Sequence, residues 1–255
     1  MEYIAAADTD IGTTKQVNQD SVCVKTAKCR QGRVALIMIC DGMGGLSKGE
    51  LASAAVVRSF SDWFEKEIPD ELDNWNWNEI GRKIAERLAA LNQKIIEHGR
   101  QCQIKLGTTC TGILIFNSEM MTFHVGDTRI YKLSDSLDIL TEDHTFVNRE
   151  IKRGNMTPEE ALKDPRRNAL TRCIGVADSV SPDITFGKLE FGVNYMLCSD
   201  GFRHVLSEKE LLKELSPSKV RTKKVMQTKL RQLIDTVKKR DERDNISAAI
   251  FRAEP

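Results

Sequence analysis

The chain has 255 residues, of which 40% are hydrophobic, and its 38 Lys and Arg residues nearly balance its 37 Asp and Glu residues, leaving a formal net charge of +1. This length and apolar content are enough to bury a large core, so we expect one domain over residues 1–255. The near-zero net charge excludes a global field that would favour nucleic acid or an anionic membrane as the partner.

Neither a membrane span nor an export signal is visible. No apolar run approaches the roughly 20 residues that a spanning helix needs, and the N-terminal segment MEYIAAADTD lacks the basic start and apolar centre of a signal peptide. We therefore expect a cytoplasmic protein. The seven cysteines form no C-x-x-C pair, which favours buried, reduced thiols over zinc ligands or disulfides.

Seven apolar runs have the composition of β-strands, and most of them are separated by short turns, which favours antiparallel neighbours. They occupy residues 21–25, 33–40, 109–116, 119–125, 129–133, 194–199 and 246–252. Two amphipathic helices are predicted between the second and third runs, one from about Glu50 to Glu67 and one with its apolar face at residues 80–95, packed as an antiparallel pair. A third helix, with its apolar face at residues 226–237, precedes the last strand.

Strands in runs with helices inserted in pairs predict an α+β layered domain, in which the sheets pack together and the helices cover their outer faces. Residues 144–181 interrupt this pattern with a polar, irregular segment that includes the helix-like sequence TPEEALK. Because long loops in compact domains usually serve function, we predict that this segment is a flap beside the site.

Four motifs place an aspartate where an apolar run meets a loop. They are DGMGG at residues 41–45, VGDTR at 125–129, CSDG at 198–201 and RDN at 243–245. Each is an ordinary turn when taken alone, but together they predict several carboxylates at one site, where cations are needed to offset their repulsion. Aspartate oxygens favour Mg²⁺ or Mn²⁺, and a two-metal cluster can displace a phosphate ester with water. The motifs therefore indicate a metal-dependent phosphate-ester hydrolase, in which the glycines at 42, 44 and 45 let the backbone approach a metal.

The order of the motifs VNQD, DGMGG, GTTCTGIL, HVGDTRIY, LTEDHT, NALTRCIG, CSDGF and RDNISAAIF resembles the type 2C family of metal-dependent serine/threonine protein phosphatases, and its compact bacterial members in particular. The resemblance covers nearly the whole chain. It implies a four-layer αββα sandwich, in which helix pairs flank two antiparallel sheets. It also implies hydrolysis of phosphoserine and phosphothreonine in proteins by a metal-bridged water that attacks phosphorus, with no phosphoenzyme.

The resemblance implies a set of metal ligands for two Mn²⁺ or Mg²⁺ ions. Asp41 would bridge the two ions, and Gly42 would supply a carbonyl to one of them. Asp200 and Asp244 would complete the coordination of the other ion. Asp127 matches the aspartate that holds a third, weaker metal in bacterial members.

Further residues are implied around these ligands. Asp20, and less strongly Gln19, would hold metal-bound waters, and Asn245 would have a structural role or a catalytic one. Lys15 stands where bacterial relatives usually carry the arginine that grips the substrate phosphate, so a weaker phosphate contact or a plain surface lysine are the two interpretations. Met43 stands where eukaryotic relatives have a histidine proposed as general acid, which leaves the proton donor open.

The remaining candidates are four side chains whose structural interpretation is as good as a functional one. His124 is predicted to be a satisfied core residue, and His144, at the start of the flap, is the histidine best placed beside the site. Arg129 and Arg172 either contact substrate or form structural ion pairs. The histidines lack the H-x-H or H-x-x-x-H spacing of a metal cluster.

Three functional hypotheses follow. The first is an active monomeric phosphatase whose partners are phosphoserine and phosphothreonine proteins, including substrates of a serine/threonine kinase. The second is a catalytically weak relative that serves as a phosphoprotein-binding module, for which loss of metal-ligand aspartates would be the sign. The third narrows the substrate to one partner, such as an anti-sigma-factor antagonist or a secretion-system component.

Overall fold

The structure, a computed structural model, describes residues 1–43 and 48–255. Two of the motif glycines, Gly44 and Gly45, therefore lie outside the described residues. Within the described ranges the chain forms ten strands: β1 (Glu2–Asp10), β2 (Asp20–Cys29), β3 (Gly32–Asp41), β4 (Cys110–Phe116), β5 (Glu119–Val125), β6 (Arg129–Leu133), β7 (Leu137–Ile139), β8 (Asp183–Lys188), β9 (Asn194–Cys198) and β10 (Ile246–Glu254).

The helices are concentrated in three parts of the chain. They are α1 (Gly49–Lys66), α2 (Ile68–Glu71), α3 (Trp77–Cys102), α4 (Phe146–Lys152), α5 (Pro158–Ala161), α6 (Asp200–Arg203), α7 (Glu208–Leu215) and α8 (Lys223–Lys239). None of these helices, within residues 1–43 and 48–255, is long and apolar enough to cross a membrane.

The strands form two antiparallel five-stranded sheets. Sheet A has the order β1-β10-β9-β6-β7, and sheet B has the order β2-β3-β4-β5-β8. The chain passes from one sheet to the other four times, between β1 and β2, β5 and β6, β7 and β8, and β8 and β9. The predicted antiparallel pairing is therefore confirmed in both sheets.

Three apolar layers hold the elements together. Side chains from the inner faces of both sheets form the central layer, α1 and α3 cover the outer face of sheet B, and α7 and α8 cover the outer face of sheet A. Strand β3 is apolar throughout because alternate residues serve different layers: Met38 packs under the helices and Ile37 packs between the sheets. The arrangement confirms the α+β, four-layer αββα sandwich.

All seven predicted strands and all three predicted helices are present, with shifts at their ends of a few residues. Three strands were not predicted: β1, β7 and β8. The predicted flap, residues 144–181, contains α4 and α5 and otherwise lacks long regular elements. In α5 a capping box between Thr157 and Glu160 fixes the start of the helix that the sequence TPEEALK indicates.

Candidate active site

The four motif aspartates lie at element ends from both sheets. Asp41 is the last residue of β3, and Asp127 lies in the connection between β5 and β6. Asp200 is the first residue of α6, directly after β9, and Asp244 lies two residues before β10. Sheet B therefore supplies the first ligand candidate, sheet A the last two, and the connection from β5 in sheet B to β6 in sheet A supplies Asp127.

One cavity of about 320 Å³ brings these aspartates together. All four of them line it. Lys15, Met43 and, from the flap, Asn168 also line it. The sequence motifs therefore converge on a single site, which is the arrangement expected from aspartates placed where strands meet loops.

Gly42 packs too tightly for any side chain. Its amide donates to the Gln19 carbonyl at 3.1 Å, and a Cβ added to Gly42 would lie 2.5 Å from the carbonyl oxygen of Gly49. The backbone after Asp41 is thus clamped between the start of α1 and the loop that precedes β2. This close packing explains the glycine and fixes the direction in which the strand enters the site.

Asp20 is a buried carboxylate without a normal partner. Both of its oxygens are inaccessible and have no hydrogen-bond partner among the described residues. Burial raises the pKa of Asp20 to about 7, and the charges of Asp200 and Asp244 add to the shift. An orphaned buried carboxylate is costly unless an ion or an ordered water completes it.

Neighbouring aspartates add to the effect of burial on the pKa of Asp41 and Asp127. Burial, and then the charges of Asp20, Asp200 and other neighbours, hold the pKa of Asp41 well above its usual range. Burial and the charge of Asp200 raise the pKa of Asp127 to about 7. Such a cluster is stabilised by divalent cations, which offset both the repulsion and the lost hydration.

The donor set fits hard cations. Each candidate ligand is a carboxylate or backbone oxygen, the chemistry that Mg²⁺ and Mn²⁺ prefer. Across residues 1–43 and 48–255, however, no three His, Cys, Asp or Glu side chains are grouped tightly enough to hold an ion as they stand. The carboxylates therefore line one cavity without closing around one point.

Lys15 places a cationic side chain at the aspartate cavity. Its Nζ lies 2.8 Å from Asp244 Oδ1, and its side chain is 30% exposed. Partial burial lowers the pKa of Lys15, but the hydrogen bond and charge of Asp244 raise it overall, so the side chain is charged at neutral pH. The hydroxyl of Thr13 donates to the Glu242 carbonyl at 3.1 Å, which anchors the loop that carries the lysine.

Gln19 and Asn245 have structural contacts. The buried Asn245 side chain donates to the carbonyls of Ile11 and Val17, at 2.9 and 3.2 Å, and accepts from the Gln19 amide at 2.9 Å. It thereby ties the loop before β2 to the start of β10. The Gln19 side chain donates to Glu50 at 3.3 Å, at the start of α1.

The two histidines of the β5 side support the backbone beside Asp127. His124 is buried, with Nδ1 2.8 Å from the Thr111 hydroxyl and Nε2 2.9 Å from the Glu142 carbonyl. His144 Nδ1 accepts from the Gly126 amide at 3.0 Å, and its Nε2 lies 2.9 Å from Asp183. His124 is therefore the satisfied core residue that the sequence predicts, and His144 orients the turn that precedes Asp127.

The two arginines form ion pairs. Arg129 makes a bidentate contact with Asp143 at 2.8 Å for both bonds, and Arg172 pairs with Asp183. Arg203 adds a bond of 3.1 Å to the Asp127 carbonyl and one of 3.2 Å to Asp143. The structural interpretation of Arg129 and Arg172 is the one that the geometry supports.

A wide groove opens from the aspartate cavity and passes between the flap and the loop before β10. It has a volume of about 1070 Å³ and shares Lys15, Asp127, Asn168 and Asp244 with the cavity. Apolar side chains of the flap, Val147, Ile151 and Leu162 among them, line one wall, and the loop 241–244 lines the other. The sequence predicted a flap here but not the groove.

Two further polar residues at the site were not predicted. His204 lies four residues after Asp200, and its Nε2 is 3.5 Å from Asp200 Oδ2. Glu242 lies two residues before Asp244 and contacts His204 Nδ1 at 3.4 Å. The helical spacing of Asp200 and His204 is a signal that the sequence contains, since residues four apart share one face of a helix.

With this geometry established, comparison with known proteins identifies the family. The family model for protein phosphatase 2C matches residues 12–248. The chain belongs to the protein phosphatase 2C family.

Two relatives that are similar over most of this chain are named as phosphatases. Protein phosphatase PhpP of Streptococcus pneumoniae is 34% identical over 206 residues, which cover 80% of each chain. The solved serine/threonine phosphatase of S. agalactiae is 32% identical, with a TM-score of 0.86, and the match covers 99% of this chain and 100% of that one.

The catalytic domain of the phosphatase PstP, solved in complex with two manganese ions, is 27% identical with a TM-score of 0.78, and the match covers 99% of each chain. The protein is thus a serine/threonine phosphatase of a metal-dependent family, and it acts on phosphoproteins.

Proposed function

We propose that this phosphatase hydrolyses phosphoserine and phosphothreonine in proteins by direct attack of water on phosphorus, with two Mn²⁺ or Mg²⁺ ions in the core site and a third ion near Asp127. The observation that carries the proposal is the convergence of four aspartates from both sheets on one cavity. The orphaned carboxylate of Asp20 beside them supports it.

The proposed ligands form two sets, one for the two core ions and one for the third ion. Asp41 would bridge the two core ions, with Gly42 contributing its carbonyl and Asp200 and Asp244 completing the set. Asp127, with a share of Asp200, would hold the third ion. When bound, the cations supply Lewis-acid chemistry: they lower the pKa of water towards neutrality and offset charge on the phosphoryl oxygens.

The chain's own residues orient the substrate and the water. Lys15 would hold a phosphoryl oxygen, because its ammonium group lines both the aspartate cavity and the groove. Asp20, whose charge acts on Asp41, would accept hydrogen bonds from water beside the cavity. Gln19 would keep the adjacent loop in place through its contact with Glu50. Asn245 would act indirectly, because its side chain holds the loop before β2 against the start of β10.

The lining of the cavity supports a route without a phosphoenzyme. Among the described residues, the cavity wall carries no thiol and no imidazole. The hydroxyl that the described part of the chain contributes is that of Thr109, which accepts from the Asp41 amide at 2.9 Å and from the Thr128 hydroxyl at 3.3 Å. A hydroxyl held in this way is a poor nucleophile, which favours water over Thr109 as the attacking group.

The groove supports a polypeptide substrate. Its volume of about 1070 Å³ exceeds what a phosphorylated side chain fills, and its apolar wall on the flap suits residues that flank the phosphorylated position. We include in the proposal that the substrates are products of a serine/threonine kinase and that the protein acts as a monomer.

Hydrolysis of phosphothreonine and phosphoserine peptides by metal-stripped protein, with Mn²⁺ or Mg²⁺ added back, tests the proposal. We expect no turnover without metal, restoration by either ion, and loss of activity in Asp41→Asn and Asp200→Asn. The matched control is Asp135→Asn, an exposed acid in the hairpin between β6 and β7, which should keep near-normal activity. Metal-independent turnover, or phosphate found covalently on the protein after rapid quenching, would refute it; no turnover with any metal would support the binding module instead.

A further inference from the structure

Two of the proposed metal ligands, Asp200 and Asp244, come from different segments that meet beside the cavity. Asp200 opens α6 and Asp244 lies in the loop before β10. Their backbones are packed closely, because a Cβ added to Gly201 would lie 2.2 Å from the Asn245 carbonyl oxygen. This contact sets how far apart the two segments lie, but it does not set where their carboxylates point.

The side chains of Glu242 and His204 connect the same two segments. Glu242 Oε1 accepts from the amides of Arg243 and Asp244, at 2.8 and 3.0 Å, so one carboxylate oxygen fixes the backbone that carries Asp244. The other oxygen, Oε2, lies 3.4 Å from His204 Nδ1. The opposite ring nitrogen of His204 lies 3.5 Å from Asp200 Oδ2.

The burial of this chain of contacts suits a role in placing ligands. The side chain of Glu242 is 11% exposed, that of Asp200 is 12% exposed, and that of His204 is 28% exposed. Contacts so shielded are weakened little by water or salt. Partners of this kind behind ligating carboxylates commonly contribute 10- to 100-fold to metal affinity, because they hold the ligand in its binding orientation.

We propose that Glu242 and His204 form a bridge that positions Asp200 and Asp244 for the cation they share, and that the bridge sets the affinity of the core site for Mn²⁺ or Mg²⁺. The inference rests on the proposed function, since it assumes that these aspartates are metal ligands. Both bridge residues are positioning residues, which act through the two aspartates and not on the substrate.

Calorimetric titration of Mn²⁺ into the metal-stripped protein tests the bridge. We expect His204→Ala and Glu242→Gln each to weaken Mn²⁺ binding by about 10- to 100-fold. Glu242→Gln keeps an oxygen for the Arg243 and Asp244 amides, so its loss would come from the contact with His204. We expect the double variant to bind Mn²⁺ no more weakly than the weaker single variant, because either change alone breaks the bridge.

Controls separate this role from general charge and from folding. Asp241→Asn removes one negative charge from the same loop, and the exposed Asp241 has no side-chain contact among the described residues that reaches either aspartate. His204→Gln offers two amide hydrogens to the two carboxylates and should recover part of the affinity. The thermal midpoints of the metal-free variants should stay close to that of the wild type.

The outcomes distinguish the bridge from the proposed function. Wild-type protein that binds no Mn²⁺ would overturn the proposed function and the bridge together. Wild-type protein that binds Mn²⁺ and turns over, while Glu242→Gln behaves like Asp241→Asn, would overturn the bridge alone. Single-variant losses that multiply in the double variant would also overturn it, because His204 and Glu242 would then act independently.

Discussion

Replacing Lys15 tests how the site holds the phosphoryl group. Lys15 Nζ contacts Asp244 at 2.8 Å and the side chain is 30% exposed. A hydrogen bond to a charged group contributes roughly 1.5–3 kcal/mol, and partial exposure favours the lower end of that range. Since about 1.4 kcal/mol corresponds to a factor of ten, Lys15→Ala should raise KM for a phosphothreonine peptide by about tenfold.

Lys15→Arg provides the opposite perturbation. A guanidinium group can contact Asp244 and the phosphate with separate N–H groups, whereas the ammonium is a point charge on a flexible stem. We expect KM to fall several-fold in this variant. Inorganic phosphate, used as a competitive inhibitor, should bind more tightly to Lys15→Arg and more weakly to Lys15→Ala.

The affinity for Mn²⁺ separates this role from one in metal binding. Removing a cation from beside Asp244 leaves the site more negative, so Lys15→Ala should bind Mn²⁺ at least as tightly as wild type. Unchanged KM in both variants, or loss of Mn²⁺ affinity in Lys15→Ala, would refute the assignment to the substrate phosphate and favour the interpretation as a surface lysine.

Three further predictions concern the surroundings of the site. Burial, with a smaller contribution from a neighbouring histidine, lowers the pKa of His124 from 6.5 to about 4, so the unfolded chain takes up a proton at a higher pH than the folded chain does and stability is lost as pH falls. Between pH 7 and pH 5, the free energy of unfolding in urea should fall by about 2 kcal/mol less in His124→Gln than in wild type. An equal fall in both proteins would contradict this. Asn245→Ala should lower the free energy of unfolding by about 2–4 kcal/mol, because the carbonyls of Ile11 and Val17 lose their buried donor. A decrease below about 1 kcal/mol would contradict the structural role of Asn245. Leu162 is 77% exposed on the groove wall, so Leu162→Ser should raise KM for phosphopeptides a few-fold and leave p-nitrophenyl phosphate hydrolysis unchanged; equal effects on both substrates would argue against a peptide groove.

The elements that sequence reasoning predicted well are those whose pattern is local. Strand β3 is a long apolar run bounded by turn residues, and α3 repeats its apolar positions at helical spacing. Strand β1 was not predicted because its sequence, EYIAAADTD, is rich in alanine and has weak β-propensity. It is a strand because it pairs along its whole length with β10, at the other end of the chain.

In the candidate site, too, the residues with a local sequence pattern could be predicted and those that depend on tertiary packing could not. The four aspartates could be predicted because each follows or precedes an apolar run, and strand ends converge at the edges of sheets. The bridge of Glu242 and His204 could not be predicted, since it depends on how closely α6 approaches the loop before β10. The groove likewise depends on how the flap packs, for which the polar sequence of residues 144–181 contains no periodic signal.

The most direct test of the central claim is the number of Mn²⁺ ions that the metal-stripped protein binds, measured by calorimetric titration of wild type, Asp41→Asn and Asp127→Asn. If aspartates from both sheets share their cations, wild type binds at least two ions, Asp41→Asn loses the tight binding of both core ions, and Asp127→Asn loses only a weaker one. Tight binding of two ions by Asp41→Asn would contradict the claim that this residue bridges the two sheets' ligands.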